Sequence, residues 1–295
     1  MSRFDLSLIE AGLSTYFVAK SGQNEIWDEI VSTNDRAIEL AQNGAEEGTL
    51  VLARKQTGGR GRQGRTWVSP RDAGIFMSFI FRPKLEPQML PLFSFVAAVA
   101  AATAIENVTG TKIGLKWVND LVYGGKKLGG ILAEMPGSQR SIARPSSAGS
   151  EASLREGAQG PNWVLPPALI LGMGINLSLE GVELPAELQG KVESLDNICG
   201  GKVDANQIVA ELCNTLEEQY NHLRHCTPEL VIEEWKKYSH TLGKRIRASV
   251  GNEELEGTAS DVTSAGALVL TQDAGHVRIL HAGEITIRMQ DGTYS

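Results

Sequence analysis

The stretch from Arg54 to Trp67, RKQTGGRGRQGRTW, most restricts the folds open to this chain. It holds five cations, four glycines and no acid. Glycine at that density loses too much backbone entropy to build the interior of a helix or strand, so the stretch is a loop. Pro70, three residues beyond it, discourages a helix directly afterwards. Bare glycine backbone can take up positive φ and bring its N–H groups close to a ligand. Arginines add charge-assisted, often bidentate bonds to phosphate or carboxylate. The loop therefore suits an anion, and is expected to be mobile when empty and to order around one.

Other readings of the loop compete. Gly59-x-Gly61-x-x-Gly64 matches the dinucleotide fingerprint letter for letter, but that fingerprint opens a helix and Pro70 works against one. The P-loop pattern, GK followed by Ser or Thr, is absent from this loop. A nucleic-acid arm fits poorly, because the patch is short and the chain carries a formal net charge of -7. A solvated surface loop is the plain alternative.

The 295 residues suffice for one large domain and one small one. Ser32-Thr33-Asn34 precede an amphipathic run, Asp35 to Gln42, closed by Gly44, which reads as a capped helix. Thr49–Ala53 and Ile75–Phe81 read as strands, and Pro91–Val108 as a long, Ala-rich, buried helix. Lys112–Trp117 and Gly130–Glu134 read as strands flanking a Gly-rich hairpin; Ala168–Leu177 is a further strand. Helices follow near Asp204–Leu223 and Pro228–Tyr238. From about Gly243 short β-type runs recur between Gly, Asn and Asp turns, the pattern of a small all-β barrel. The expected organisation is thus a mixed α+β part, residues 1–240, and a barrel, residues 241–295. Residues 137–162, rich in Ser, Gly, Ala and Arg, bury too little to fold alone and read as a flexible excursion between two strands.

The three cysteines, Cys199, Cys213 and Cys226, form no CxxC pair, which favours a reducing cytoplasm over a disulfide framework or zinc knuckle. The N-terminus lacks the apolar core of a signal peptide. The longest apolar stretch, Phe95 to Ile105, is roughly half of a membrane span. No membrane association is expected. His222, His225 and Cys226 lie close together but read as a polar helix end rather than a metal set.

A second constellation follows the long helix: Lys116-Trp117-Val118-Asn119-Asp120, then Gly124-Gly125-Lys126-Lys127-Leu128-Gly129-Gly130-Ile131-Leu132. By itself it fits an Asx turn and an exposed hairpin with solvated lysines. Together with the loop it resembles the biotin protein ligase family, whose members carry GRGRxGRxWxSP, then KWPND, then KxxGIL. Here these stand as Gly59 to Pro70, Lys116 to Asp120 and Lys127 to Leu132. Gly172-Met173-Gly174-Ile175-Asn176 resembles the family's GxGxN strand, and Ser32-Thr33-Asn34 its STN. The resemblance runs from about Trp27 to the C-terminus. Val118 stands where the family usually has proline, the 137–162 excursion is unusual, and no helix-turn-helix precedes residue 27, so no repressor role is expected.

The resemblance implies a class II synthetase-like mixed sheet with helices and a C-terminal SH3-like barrel. It implies an ATP-dependent ligase, in which the biotin carboxylate attacks the α-phosphorus of ATP, giving biotinyl-5′-AMP and pyrophosphate. A lysine of a biotin carboxyl carrier protein then takes the acyl group and releases AMP. On this resemblance Lys127, Arg60 and Asp120 are the catalytic candidates. Arg60, Arg62 and the amides of Gly59 and Gly61 would meet phosphate, and Lys127 both the carboxylate and the α-phosphate. Ser32, Thr33, Asn34 and Gln56 would hold biotin, with room left by Gly130 and Trp67 closing over it. Asn119, Gly172, Gly174, Asn176 and Arg288 complete the expected site. Mg²⁺ would accompany the nucleotide, its protein ligands being unknown. A cytoplasmic homodimer is expected, with no nucleic-acid partner. A lipoate-type ligase and a non-catalytic biotin or nucleotide sensor are the alternatives, and ATP–pyrophosphate exchange with biotin or lipoate separates them.

Overall fold

The computed structural model describes residues 3–84, 89, 91–136, 167–225, 228–251, 253–273 and 275–281, with the backbone of 285–289. The 137–162 excursion lies outside them.

A seven-stranded sheet organises the larger part. Its strands are β1 (Glu25–Trp27), β2 (Leu50–Ala53), β3 (Gly74–Phe81), β4 (Gly114–Lys116), β5 (Asp120–Tyr123), β6 (Lys126–Glu134) and β7 (Leu169–Asn176), in the order β1-β2-β3-β7-β6-β5-β4. Only β1–β2 is parallel. The other pairs are antiparallel.

Strand residues alternate between two faces. Leu50, Leu52, Ile75, Met77, Phe79, Phe81, Leu169, Leu171 and Ile175 bury against one side. There the sheet packs helix α3 (Leu92–Thr109), which is itself crossed by α5 (Ala205–His225) and α6 (Pro228–Tyr238). Val51, Ile80 and Ile170 point the other way and bury against Ala37, Ala41 and Ala45 of helix α2 (Thr33–Gln42) and the turn after it. Helix α3 is long and apolar enough to cross a membrane by length and composition, more so than the 95–105 stretch suggested. Its residues from Leu92 to Ile105 are nearly all buried by protein, as in the core helix of a globular fold.

The chain enters through α1 (Leu6–Ala11), capped by Asp5, and is clamped to α5 by buried Glu217. Glu217 Oε1 accepts from the N–H of Tyr16 at 2.7 Å, and Oε2 from those of Phe17 and Val18 at 2.9 Å each. After α6 come β8 (Arg245–Val250), β9 (Glu253–Val262), β10 (Leu268–Thr271), β11 (Val277–Leu280) and β12 (Ile285–Met289). They form an antiparallel sheet in the order β11-β10-β9-β8-β12. Buried Ile246, Ala248, Leu255, Ala259, Leu268 and Leu270 join the same core as α3 and Trp235.

The structure departs from sequence expectation in three places. The Gly-rich hairpin stands, but one of its arms is a strand the sequence did not show. An extra strand, β5, pairs with both β4 and β6, and Gly124 and Gly125 form the β5–β6 turn at φ 55° and 77°. Leu6–Ala11 forms α1, where no element was expected. The short helix α4 (Leu195–Ile198) likewise gave no periodic signal.

Removing the Glu217 carboxylate leaves three N–H groups without their acceptor. Glu217→Ala is expected to lower unfolding free energy by about 2–4 kcal/mol, since each such bond contributes about 1–3 kcal/mol. Denaturant melts measure this, and a loss under about 0.5 kcal/mol would show that the clamp is dispensable.

Candidate functional site

On the α2 side of the sheet, the face that carries Ile80 and Ile170 loses its side chains a few residues further along. Register aligns Phe76, Gly174 and Gly130 across β3, β7 and β6, and Ser78, Gly172 and Leu132 in the next row. Helix α2 covers the Ile80–Ile170 end, and its first turn stops over Ser78 and Gly172. Beyond it lies a cavity of about 700 Å³. A side chain on the central glycines would fill what surrounds them: a Cβ at Gly172 would sit 2.1 Å from Asn34 Oδ1, and one at Gly174 2.5 Å from Trp67 Nε1.

The Ser-Thr-Asn segment is the start of α2 itself. Ser32 is the N-cap, but its side chain makes no cap bond, contrary to the expected capping role. Thr33 and Asn34 are turned into a buried polar network instead. Gln56 Oε1 accepts from Thr33 N at 2.8 Å and from Thr33 Oγ1 at 3.2 Å, and Gln56 Nε2 donates to Ser69 Oγ at 3.0 Å. Ser78 Oγ donates to Asn34 Oδ1 at 2.5 Å and sits 2.7 Å from Thr33 Oγ1.

The basic loop folds back over this floor. Gly61 N donates to Arg65 O at 2.7 Å and Trp67 N to Gly59 O at 2.9 Å, around a single 3₁₀ turn at Arg62–Gly64. Of its glycines only Gly64 has positive φ, 70°, while the non-glycine Gln63 sits at 56°. Gly59 is required for close approach, since a Cβ would lie 2.5 Å from Trp67 O. The five cations divide. Arg54 is held bidentately by Asp72 at 2.8 and 2.6 Å and Lys55 by Glu29 at 2.9 Å, and neither lines the cavity. Arg60, Arg62 and Arg65 line it.

Arg62 reaches the second constellation: its guanidinium donates to Asn119 Oδ1 at 3.1 Å. Asn119 is fixed by its own bonds to the Ile131 backbone, 2.8 Å from Nδ2 to O and 2.9 Å between Ile131 N and Asn119 O. Burial pulls the Arg62 guanidinium below its ordinary pKa; the Asp120 charge works against that and Arg65 adds to it. Lys127 Nζ pairs with Asp120 Oδ1 at 2.6 Å and lies 5.3 Å from the centroid of the Trp67 ring, a cation–π distance. The indole lies against Gly130 and Gly174, and its Nε1 is buried with no hydrogen-bond partner among the described residues.

The structure thus brings fifteen residues expected from sequence around one cavity: Ser32, Thr33, Asn34, Gln56, Arg60, Gly61, Arg62, Trp67, Asn119, Asp120, Lys127, Gly130, Gly172, Gly174 and Asn176. Gly59 is outside the lining and shapes the loop. Arg288 lies on β12 opposite Arg247, and its side chain falls outside the described residues. Among the described residues no three His, Cys, Asp or Glu side chains gather as a metal set.

Sequence reasoning missed one wall entirely. Leu179, Val182, Leu184, Leu188, Lys191 and Val192 line the cavity from the segment after β7. That segment is bonded to the backbone of Lys127, whose N donates to Lys191 O and whose O accepts from Glu193 N, both at 2.8 Å. Asn176 Nδ2 adds a bond to Glu193 O at 2.9 Å. The run LSLEGVEL was visible, but its lack of helical or strand period hid it.

Two family models match: the Biotin/lipoate A/B protein ligase family over residues 28–143, and the Biotin protein ligase C terminal domain over 241–288. The bifunctional ligase/repressor BirA of Bacillus spizizenii is 33% identical over 279 residues, spanning 94% of this chain and 77% of that protein. The chain belongs to the biotin protein ligase family. Within it, the biotin--[acetyl-CoA-carboxylase] ligase of Mycobacterium tuberculosis is 28% identical over 260 residues, 86% of this chain and 85% of that one. The fold matches a biotin protein ligase from Aquifex aeolicus, solved with biotin and ATP, at TM-score 0.71 and 23% identity, covering 91% of this chain and 99% of that one.

A methyl at Gly174 must displace the Trp67 indole of this family member. Gly174→Ala is expected to cost about 1–3 kcal/mol of stability, as overpacked sites do. In a Trp67→Ala background the same change should cost at least about 1 kcal/mol less. A double-mutant cycle by thermal or denaturant melting measures the difference, and equal costs in both backgrounds would remove the contact.

Proposed function

We propose that this cavity binds biotin and ATP, joins them as biotinyl-5′-AMP, and delivers biotin to a lysine of a biotin carboxyl carrier protein. The observation that carries the reading is the Arg62–Asn119 bond beside the Lys127–Asp120 pair. Two segments separated by 57 positions converge so that Arg60, Arg62, Arg65 and Lys127 gather along the cavity lining.

Two anions must meet in the first step, and cations in a partly dry site offset their repulsion and stabilise charge developing on the α-phosphate. Lys127 stands at the junction and Arg62 beside it, with Arg60 and the Gly61 backbone completing the phosphate side. Ser32, Thr33 and Gln56 supply hydrogen-bonding groups for the ureido ring. A ligand lacking that ring leaves them unpaired, which disfavours lipoate. Apolar Phe76, Leu132 and the indole of Trp67 suit the aliphatic chain, and Asn176, with the wall of Leu179 to Val192, suits the nucleoside. Mg²⁺ enters as part of the nucleotide substrate, so no step is assigned to a protein-bound ion. In the second step the mixed anhydride is attacked by a neutral amine, and Asp120 is the carboxylate placed to orient it or take its proton.

On this reading the site belongs to a catalytic domain of residues 1–240, and 241–295 is an appended barrel domain whose Arg288 is assigned to the nucleotide by the family resemblance. A cytoplasmic setting is in keeping with the free thiols of Cys199 and Cys213. For a homodimer, β1 is the open sheet edge, since Ser239 and His240 bridge to Leu115 at the β4 edge.

The test is incubation with ATP, Mg²⁺, an apo carrier domain and either biotin or lipoate, read by intact mass. The carrier is expected to gain one biotin and no lipoate, and no gain with biotin would end the proposal. Lys127→Ala should fold normally yet lose adenylate formation by about 10²–10³-fold, the scale of one oxyanion-stabilising group. Asp120→Asn should slow transfer from preformed biotinyl-5′-AMP by about 10²–10⁴-fold. An undiminished transfer rate would strip Asp120 of that role.

A further inference from the structure

Arg60 is the loop cation expected to meet phosphate, yet its guanidinium is already occupied by two carboxylates of the chain. One arm pairs with Asp35 in the first turn of α2, and the other donates to Glu134 Oε2 at 3.0 Å. The same Glu134 oxygen accepts from Asn34 Nδ2 at 2.6 Å. Asn34 is held in turn: its Oδ1 accepts from Ser78 Oγ and lies in the space that the missing side chain of Gly172 leaves. Glu134 is therefore a carboxylate pinned at the end of β6 and aimed at the loop. Burial works against the Arg60 charge, but Asp35 and Glu134 together raise its pKa above the ordinary value.

We propose that Glu134 is a positioning residue that latches the glycine loop to the sheet through Arg60 in the empty site, and that phosphate oxygens of the nucleotide displace it. This rests on the reading of the cavity as a nucleotide site. The physical basis is competition. The pair is about a third exposed, so its strength is modest and phosphate, with more charge and more acceptors, can replace the carboxylate. A latched loop also hides the backbone around Arg60, Arg62 and Arg65 from proteases. Nucleotide affinity is lowered by the fraction of molecules that must first unlatch.

The variant that isolates the charge is Glu134→Gln, whose amide oxygen still accepts from Asn34. Two readouts should move together. Tryptic cleavage within residues 60–65 of the ligand-free protein should rise about threefold. The KM for ATP in biotin-dependent pyrophosphate exchange should fall by a similar factor with kcat unchanged, because both follow the same unlatched population. Biotin with ATP should protect the loop of wild type and variant equally. Asp35→Asn, on an exposed side chain at the start of α2, should show the same pattern more weakly and serves if Glu134→Gln melts early. Unchanged cleavage in both variants, or a KM that rises, overturns the latch. If neither protein shows biotin-dependent exchange, the nucleotide reading fails on its own, while the ligand-free cleavage comparison still decides whether Glu134 holds the loop.

Discussion

A patch of bare glycine backbone on one sheet face is the constraint on which the site depends. Gly130 and Gly174 face each other across β6 and β7, with Gly172 in the next row. Their missing Cβ atoms let Asn34 and the Trp67 indole lie directly on the backbone. The same face two residues earlier carries Ile80 and Ile170 and packs helix α2 in the ordinary way. The cavity is thus where a two-sided sheet stops filling one of its sides, and the fold needs no separate pocket-forming domain. Close packing elsewhere makes this work: α3, crossed by α5 and α6, seals the opposite face, so the bare stripe costs the core nothing on that side.

Electrostatics follow from that geometry. Cations gathered at one end of a partly buried cavity would repel one another unless held, and each has a holder. Arg62 donates to Asn119, Lys127 pairs with Asp120 and stacks over Trp67, and Arg60 spans Asp35 and Glu134. Burial alone would penalise these charges, and its effect on Arg62 is visible as a lowered pKa. The partners keep the cations in place before any substrate arrives, so less reorganisation remains when an anion enters.

Much of this was legible because the relevant residue types are rare in combination. Glycines and arginines interleaved, followed by a tryptophan and a proline, leave few backbone options, and the loop lies where that pattern puts it. The expected strands and helices largely stand because their apolar runs are unbroken: Ile75–Phe81 is buried on both faces and Pro91–Val108 is apolar on nearly all sides. Illegible parts share a different cause. Strand β5 is four residues long, β1 three, and the wall from Leu179 to Val192 is held by backbone bonds to Lys127, which carry no side-chain signature. Glu134 reads from sequence as an ordinary strand-end acid, because its partners Asn34 and Arg60 are 100 and 74 positions away.

The sequence by itself determined the chemistry on offer: which groups are cationic, which positions are bare backbone, and which runs must be buried. Local propensity, glycine's missing side chain and the fixed charge of arginine need no partner to be read. Only the tertiary structure decided which cations face the cavity. Arg54 and Lys55 belong to the same loop as Arg60 and Arg62, yet they are tied to Asp72 and Glu29 outside it. That division is set by strand register and by the angle at which the loop crosses β6 and β7, both long-range pairings that no local window of sequence encodes.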